Sequence, residues 1–135
     1  MEKVEGDGYH IFTDIRIERR TFRVLIDSGA SKSVFDKILI RQLKSVQIVE
    51  NSENIAAGIG EGLIETRLGV IPEIRIKRLL VSDLTVAFID FSPVHEAYKK
   101  LSLKPFSGII GGDILYKYGA VINYNKSTLQ LYHRK

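Results

Sequence analysis

Apolar and polar residues tend to alternate from Tyr9 to Ile17, closing on Ile15-Arg16-Ile17. A period of two is the mark of a half-buried strand. Arg19-Arg20 then reads as a hairpin tip, and Thr21 to Ile26 as a second strand heading into a core. Ser33 to Leu43 places apolar residues at Val34, Ile38 and Leu39, which predicts a helix opened by a Ser cap. Val46 to Val49 is a short strand. The stretch "NIAAGIGEGLIETRLGVIPEIRI" sets glycines at 58, 60 and 62 between segments of strand character, so it reads as a long hairpin with a mobile tip. Ile74 and Ile76 alternate with Glu73, Arg75 and Lys77 on a one-faced strand. Leu79 to Ile89 is a strand pair or one long bent strand. Pro93 opens a helix through Leu101, because Pro suits the first helical turn. The closing segment "SGIIGGDILYKYGAVINYNKSTLQLYHRK" reads as strand, short helix, strand, a turn at Asn125-Lys126, and a final strand. The pattern predicts a mainly β chain with two or three short helices, of a size suited to a small closed barrel.

Composition narrows the class without changing the outline. At 135 residues the chain has room for one ordinary core, and 44% apolar with 27% charged residues suits a globular protein. The polar first eight residues, 1–8, carry two glycines and are expected to be a flexible lead into a single domain over 9–135. No apolar run approaches the roughly 20 residues that span a bilayer, and "MEKVEGDGYH" lacks the apolar centre of a signal peptide. A soluble, cytoplasmic protein with no membrane partner is therefore expected, unless a targeting segment was trimmed from the given chain. The absence of cysteine removes disulfides, thiolate metal sites and a cysteine nucleophile. The net charge of +4 comes from 20 basic and 16 acidic residues mixed along the chain, with no aromatic–basic interleaving, so no nucleic-acid partner is expected.

The candidate chemistry starts at Leu25-Ile26-Asp27-Ser28-Gly29-Ala30-Ser31, where an apolar strand ends on a carboxylate and turns tightly. An Asp at such a place can be a plain turn residue bonding nearby backbone N–H groups, or half of a catalytic site. The stretch alone leaves both open. Ser28 is not in a G-x-S-x-G elbow, and no motif ties His10, His95 or His133 to it, so a serine hydrolase is disfavoured. No His or Asp pair has metal-ligand spacing, and no metal or other cofactor is expected. Gly58-Ile59-Gly60-Glu61-Gly62 fails as a phosphate cradle, since its spacing is G-x-G-x-G and a strand rather than a helix follows. Ile109-Ile110-Gly111-Gly112 reads as a buried strand that must pass close to another backbone.

The order of these motifs is more specific than any one of them. An apolar strand ending in Asp27-Ser28-Gly29-Ala30, then a glycine-tipped hairpin, then Ile109-Ile110-Gly111 leading into a short helix, resembles the retroviral-type, retropepsin-like aspartic proteases. The resemblance runs from about Tyr9 to Tyr132, and the segment from Gly108 to Tyr132 is especially similar to the bacterial and cellular single-domain members. It implies an acid-protease closed barrel in which Gly58, Ile59, Gly60, Glu61 and Gly62 form a flap over the substrate, with Gly58 and Gly60 as hinges. It implies that Ile109, Ile110 and Gly111 brace the catalytic loop, and that Asp27 is catalytic. One chain carries one Asp-Ser-Gly, whereas the chemistry needs two carboxylates facing one water, so a homodimer is expected. Two carboxylates that close cannot both be ionised, and the pair holds one proton. The ionised partner takes a proton from the attacking water while the protonated one supports the oxygen that becomes negative.

Neighbouring roles follow from the same resemblance. Ser28 would hold the two loops across the dimer axis, Gly29 would allow the tight turn, and Ala30 replaces the Ser or Thr of pepsin-like relatives, which implies a less acidic working pH. Asp113 is expected to bind nearby backbone rather than act in catalysis. Retroviral members usually carry an acid at the place of Ser31 and an Arg at the place of Gly112. Both are missing here, so substrate preference does not transfer. A segment around Asp90 to Lys104 adds a helix between flap and Ile109, where it would shape the groove or obstruct the dimer contact. Thr128 to His133 would form an interfacial strand or complete the chain's own barrel. The reading is an aspartic endopeptidase acting on a peptide or protein substrate. The alternative is a non-catalytic, monomeric peptide-binding or structural module on the same fold.

Overall fold

A computed structural model describes residues 2–4, 10–49, 66–102 and 104–132. In chain order the elements are β1 (Glu2–Val4), β2 (His10–Ile17), β3 (Arg20–Ile26), β4 (Val34–Asp36), α1 (Leu39–Gln42), β5 (Gln47–Ile48), β6 (Arg67–Ile76), β7 (Leu79–Ile89), α2 (Ser92–Lys100), β8 (Gly108–Ile110), α3 (Gly112–Lys117), β9 (Val121–Asn123) and β10 (Thr128–Gln130). The expected mobile hairpin tip at Gly58 to Gly62 lies outside the described residues. Within the polar start, β1 lies antiparallel on β2, with Lys3 opposite Ile11.

Six strands close a barrel in the order β2-β3-β8-β4-β7-β6, with β6 returning to β2 at Arg16 and Arg75. The fold is a mainly β closed barrel with a few short helices. Most neighbours are antiparallel, but β3–β8 and β4–β7 are parallel. A parallel pair needs a long crossover, and here the chain from Asp27 to Ser107 supplies it. That topology sets the last residues of β3 beside the C-terminal strand β8.

Strand alternation sorts the side chains into two apolar bodies. Phe22, Val24 and Ile26 of β3 point into the barrel with Ile15, Ile17, Phe35, Ile71, Ile74, Phe88, Ile110 and Ile114. Phe12 and Ile109 face the other way, into a second cluster with Ile89, Phe91 and Phe106, against which Leu25, Ala30, Val34, Val94 and Tyr98 pack. Fully burying a Phe or Ile stabilises by roughly 1.5–3 kcal/mol, so the outer cluster is a structural layer in its own right.

One local expectation is revised, and two that were left open are narrowed. The helix predicted from Ser33 to Leu43 is confined to Leu39–Gln42, because Val34–Asp36 is inserted as β4 between β8 and β7. Tertiary pairing overrides local propensity there, and the Ser33 hydroxyl is used elsewhere than a helix cap. Leu79 to Ile89 is one long strand, with no ladder pair between Pro72 and Asp83, where Pro72 has no N–H to give and Asp83 takes φ 51°. The C-terminal Thr128–Gln130 pairs only with β9 in a separate two-stranded sheet and does not join the barrel ladder, although Leu129 reaches the core.

Candidate active site

The turn that carries Asp27 is held from three sides. The Asp27 N–H donates to the Ile110 carbonyl at 3.0 Å, which extends the parallel β3–β8 ladder one residue beyond the strand. Ala30 N–H then donates back to the Asp27 carbonyl at 3.2 Å, closing the turn. The Gly29 N–H donates to Asp27 Oδ1 at 3.0 Å, so the carboxylate is oriented by its own loop. Alternation puts Asp27 on the outer face of β3, the Leu25 side, where it is half-buried. Ser28 is exposed beside it, and Gly29 is exposed without adopting a left-handed φ. The glycine requirement expected of Gly29 is therefore one of space, since a Cβ would lie 3.3 Å from Asp27 Oδ1.

The start of α3 locks onto this turn. Gly112 N–H donates to the Ala30 carbonyl at 2.6 Å and Asp113 N–H to the Ser31 carbonyl at 3.1 Å. Ser33 is fully buried, and its hydroxyl donates to Asp113 Oδ1 at 2.7 Å while accepting from Gly111 N–H at 3.0 Å. Asp113 Oδ2 accepts the Ser33 N–H at 3.0 Å, and Oδ1 also accepts from Ile114 N–H at 2.9 Å. Asp113 binds nearby backbone and the Ser33 hydroxyl, and Ile109, Ile110 and Gly111 lie directly against the loop. Sequence reasoning missed Ser33. A second hydroxyl residue soon after the Asp-Ser-Gly, with an acid following Gly-Gly, was the available signal.

Asp113→Ala should expose how much the lock contributes. It leaves the buried Ser33 hydroxyl proton and the Ser33 N–H without their acceptors, a cost of roughly 2–3 kcal/mol. Urea denaturation should show a lower midpoint with an unchanged slope.

Two residues without sequence motifs also lie beside Asp27. Ile11 pairs with Ile26, so the register carries His10 to the position opposite Asp27. The Tyr98 hydroxyl of α2 is 3.3 Å from His10 Nδ1 and shares a hydrogen bond with it. Burial raises the Tyr98 phenol above its ordinary pKa, and the negative charge of Asp27 pushes in the same direction. The helix expected in the insert around Asp90 to Lys104 is thus α2, Ser92–Lys100, folded back over the sheet face from which Asp27 projects. His95 Nε2, 2.7 Å from the Phe106 carbonyl, ties it down.

The residues predicted for the flap, Gly58, Ile59, Gly60, Glu61 and Gly62, lie outside the described residues. Among the described residues no cluster of three or more His, Asp and Glu side chains could hold a metal ion. No described helix is long and apolar enough to cross a membrane.

A closed barrel with an acid-bearing turn braced by a C-terminal strand and helix defines a retropepsin-like fold, and solved structures of that class match it. The EIAV protease complexed with the inhibitor HBY-793 is 25% identical with a TM-score of 0.59, over 89% of this chain and 98% of that one. The retroviral protease-like domain of Ddi1 from Leishmania major is 17% identical with a TM-score of 0.55, over 90% and 87% of the two chains. A retropepsin-like aspartic protease from Rickettsia conorii is 10% identical with a TM-score of 0.50, over 84% and 76%. Residues 13–114 match the family model described as aspartyl protease, and the chain belongs to that family. No curated protein matches its sequence.

Proposed function

We propose that residues 9–135 form one protease domain, an aspartic endopeptidase whose active site is completed by a second copy of the chain. The observation that carries this is the placement of Asp27: its backbone is tied to Ile110 of β8, the Ala30 and Ser31 carbonyls of its loop accept from the start of α3, and it is half-buried on an outer sheet face. A plain turn acid needs none of that bracing from α3 and β8. Two Asp27 residues related by a two-fold axis would share one proton and one water. The ionised carboxylate takes the proton of the attacking water, and the protonated one hydrogen-bonds the oxygen of the scissile carbonyl as it becomes negative. Collapse of the tetrahedral intermediate delivers a proton to the leaving amine. Ser28, exposed next to Asp27, would make contacts across the axis. Gly58 to Gly62 would supply the flap. No cofactor enters this mechanism, and the substrate is a peptide or protein.

A site made by two copies gives activity a concentration dependence that a complete one-chain site lacks. Specific activity should fall on dilution through the dimer dissociation range, in step with sedimentation. A chain that cleaves peptides at constant specific activity while sedimenting as a monomer would contradict the proposal. A chain that stays monomeric at high concentration and cuts nothing would favour the non-catalytic module.

A further inference from the structure

The sheet face that carries Asp27 continues as an apolar row. Phe12 is paired with Leu25, Leu25 with Ile109 of β8, and Ile109 with Val34 of β4, so all four share one face. An open barrel would present this row as a floor beside the carboxylate. Here α2 and the residues that flank it cover most of it: Phe12 is fully buried and Ile109 nearly so, under Val94 and Tyr98 of the helix and Phe91 and Phe106 on either side of it. Val94 and Tyr98 are four residues apart and so lie on one side of the helix, the side that meets the sheet. Next to Asp27 three side chains stay half-buried rather than covered: Leu25, His10, which the register sets opposite Asp27, and Tyr98 of α2, bonded to His10.

Tyr98 is the fixed one of the three. Its ring centroid lies 5.1 Å from Phe106 at 68°, 6.5 Å from Phe12 at 87°, and 5.5 Å from His10. Edge-to-face contacts of this kind favour one ring orientation, and the bond to His10 holds the hydroxyl end. A ring held at both ends excludes by shape better than a mobile one.

We propose that α2 walls the pockets receiving the two side chains that flank the scissile bond, and that Tyr98 limits their size, so small and medium apolar side chains are preferred there. The proposal rests on the reading of Asp27 as the catalytic acid. Two-fold symmetry gives each Asp27 its own copy of the wall, so both flanking positions share the preference. Removing the Tyr98 ring would leave a space floored by Phe12, Leu25 and Phe106, suited to an aromatic ring.

The test separates binding from turnover. An octapeptide library with Ala, Val, Leu or Phe at its two central positions is bound to Asp27→Asn protein and to the Asp27→Asn, Tyr98→Ala double variant, and retained peptides are read by mass spectrometry. The Phe-to-Ala enrichment should rise about tenfold or more in the double variant, the scale of pocket-size discrimination. Tyr98→Leu in the same background should move it the same way by less, and serves if the Ala variant does not fold. Tyr98→Phe, which keeps the ring, should retain the starting preference. Unchanged enrichment in Tyr98→Leu and Tyr98→Ala, an equal shift in Tyr98→Phe, or no retention of any peptide would overturn the assignment. The same peptides are offered to the chain with Asp27 intact. Absence of cleavage alongside a shifted enrichment would end the protease reading and leave the pocket standing, whereas cleavage with unshifted enrichment would end only the pocket.

Discussion

Asp27→Asn is expected to abolish peptide hydrolysis and leave the fold in place. Asn has the shape of Asp and keeps an oxygen for the Gly29 N–H, now 3.0 Å from Asp27 Oδ1, so the turn should survive. What it loses is the ability to take a proton from water. General-base catalysis contributes about 10²–10⁴-fold, and a dyad without a carboxylate on either side should lose at least about 10³-fold in kcat. Cleavage of an unbiased peptide mixture, read by mass spectrometry from mildly acid to neutral pH, measures it. A thermal unfolding curve within a degree or so of wild type, on the scale where ~1 kcal/mol moves Tm by several degrees, shows that the fold is kept. Cuts that persist in the variant would assign the chemistry elsewhere.

Gly111→Ala should be the most damaging single methyl group near the site. A Cβ there would fall 2.6 Å from the Ala30 carbonyl oxygen and 2.8 Å from that of Lys32. Both are backbone atoms and cannot rotate away, unlike the end of a side chain. Either the loop moves off β8 or the 2.6 Å bond from Gly112 N–H to Ala30 is lost. Overpacking of this kind costs about 3 kcal/mol, the upper part of its usual range. For a domain of this size that is a Tm roughly 10 °C lower. Activity should fall further than stability alone requires, because the displaced loop carries Asp27 and a misplacement of about 1 Å can cost about 10²-fold. Equal Tm and equal turnover in Gly111→Ala would show that the bracing does not set the site.

The barrel was legible because its strands alternate cleanly. Ile15-Arg16-Ile17 and Ile74-Arg75-Ile76 state which face is buried, and the order of Asp27-Ser28-Gly29 and Ile109-Ile110-Gly111 states the class of fold. β4 was hidden because Val34-Phe35-Asp36 has only three residues, too few for periodicity to separate strand from helix; its partners β7 and β8 lie more than forty residues away. The lock of Ser33 on Asp113 was half visible. The acid's structural role could be anticipated from its place after a glycine pair, but its partner 80 positions away in sequence could not. Tyr98 and His10 were invisible for the same reason at larger scale. Nothing local marks a tyrosine on a short exposed helix as the neighbour of a histidine 88 positions earlier. Register and packing bring them together, and a single sequence records neither.

The most direct measurement mixes wild-type chain with Asp27→Asn chain at concentrations where dimers form and exchange. If two Asp27 carboxylates make one active site, mixed dimers are inactive, and at equal amounts random pairing leaves only about a quarter of dimers intact. Activity per wild-type chain should then fall to about half, and further as more variant is added. Activity per wild-type chain that stays constant however much variant is added would contradict a shared site, because each chain would then be acting alone.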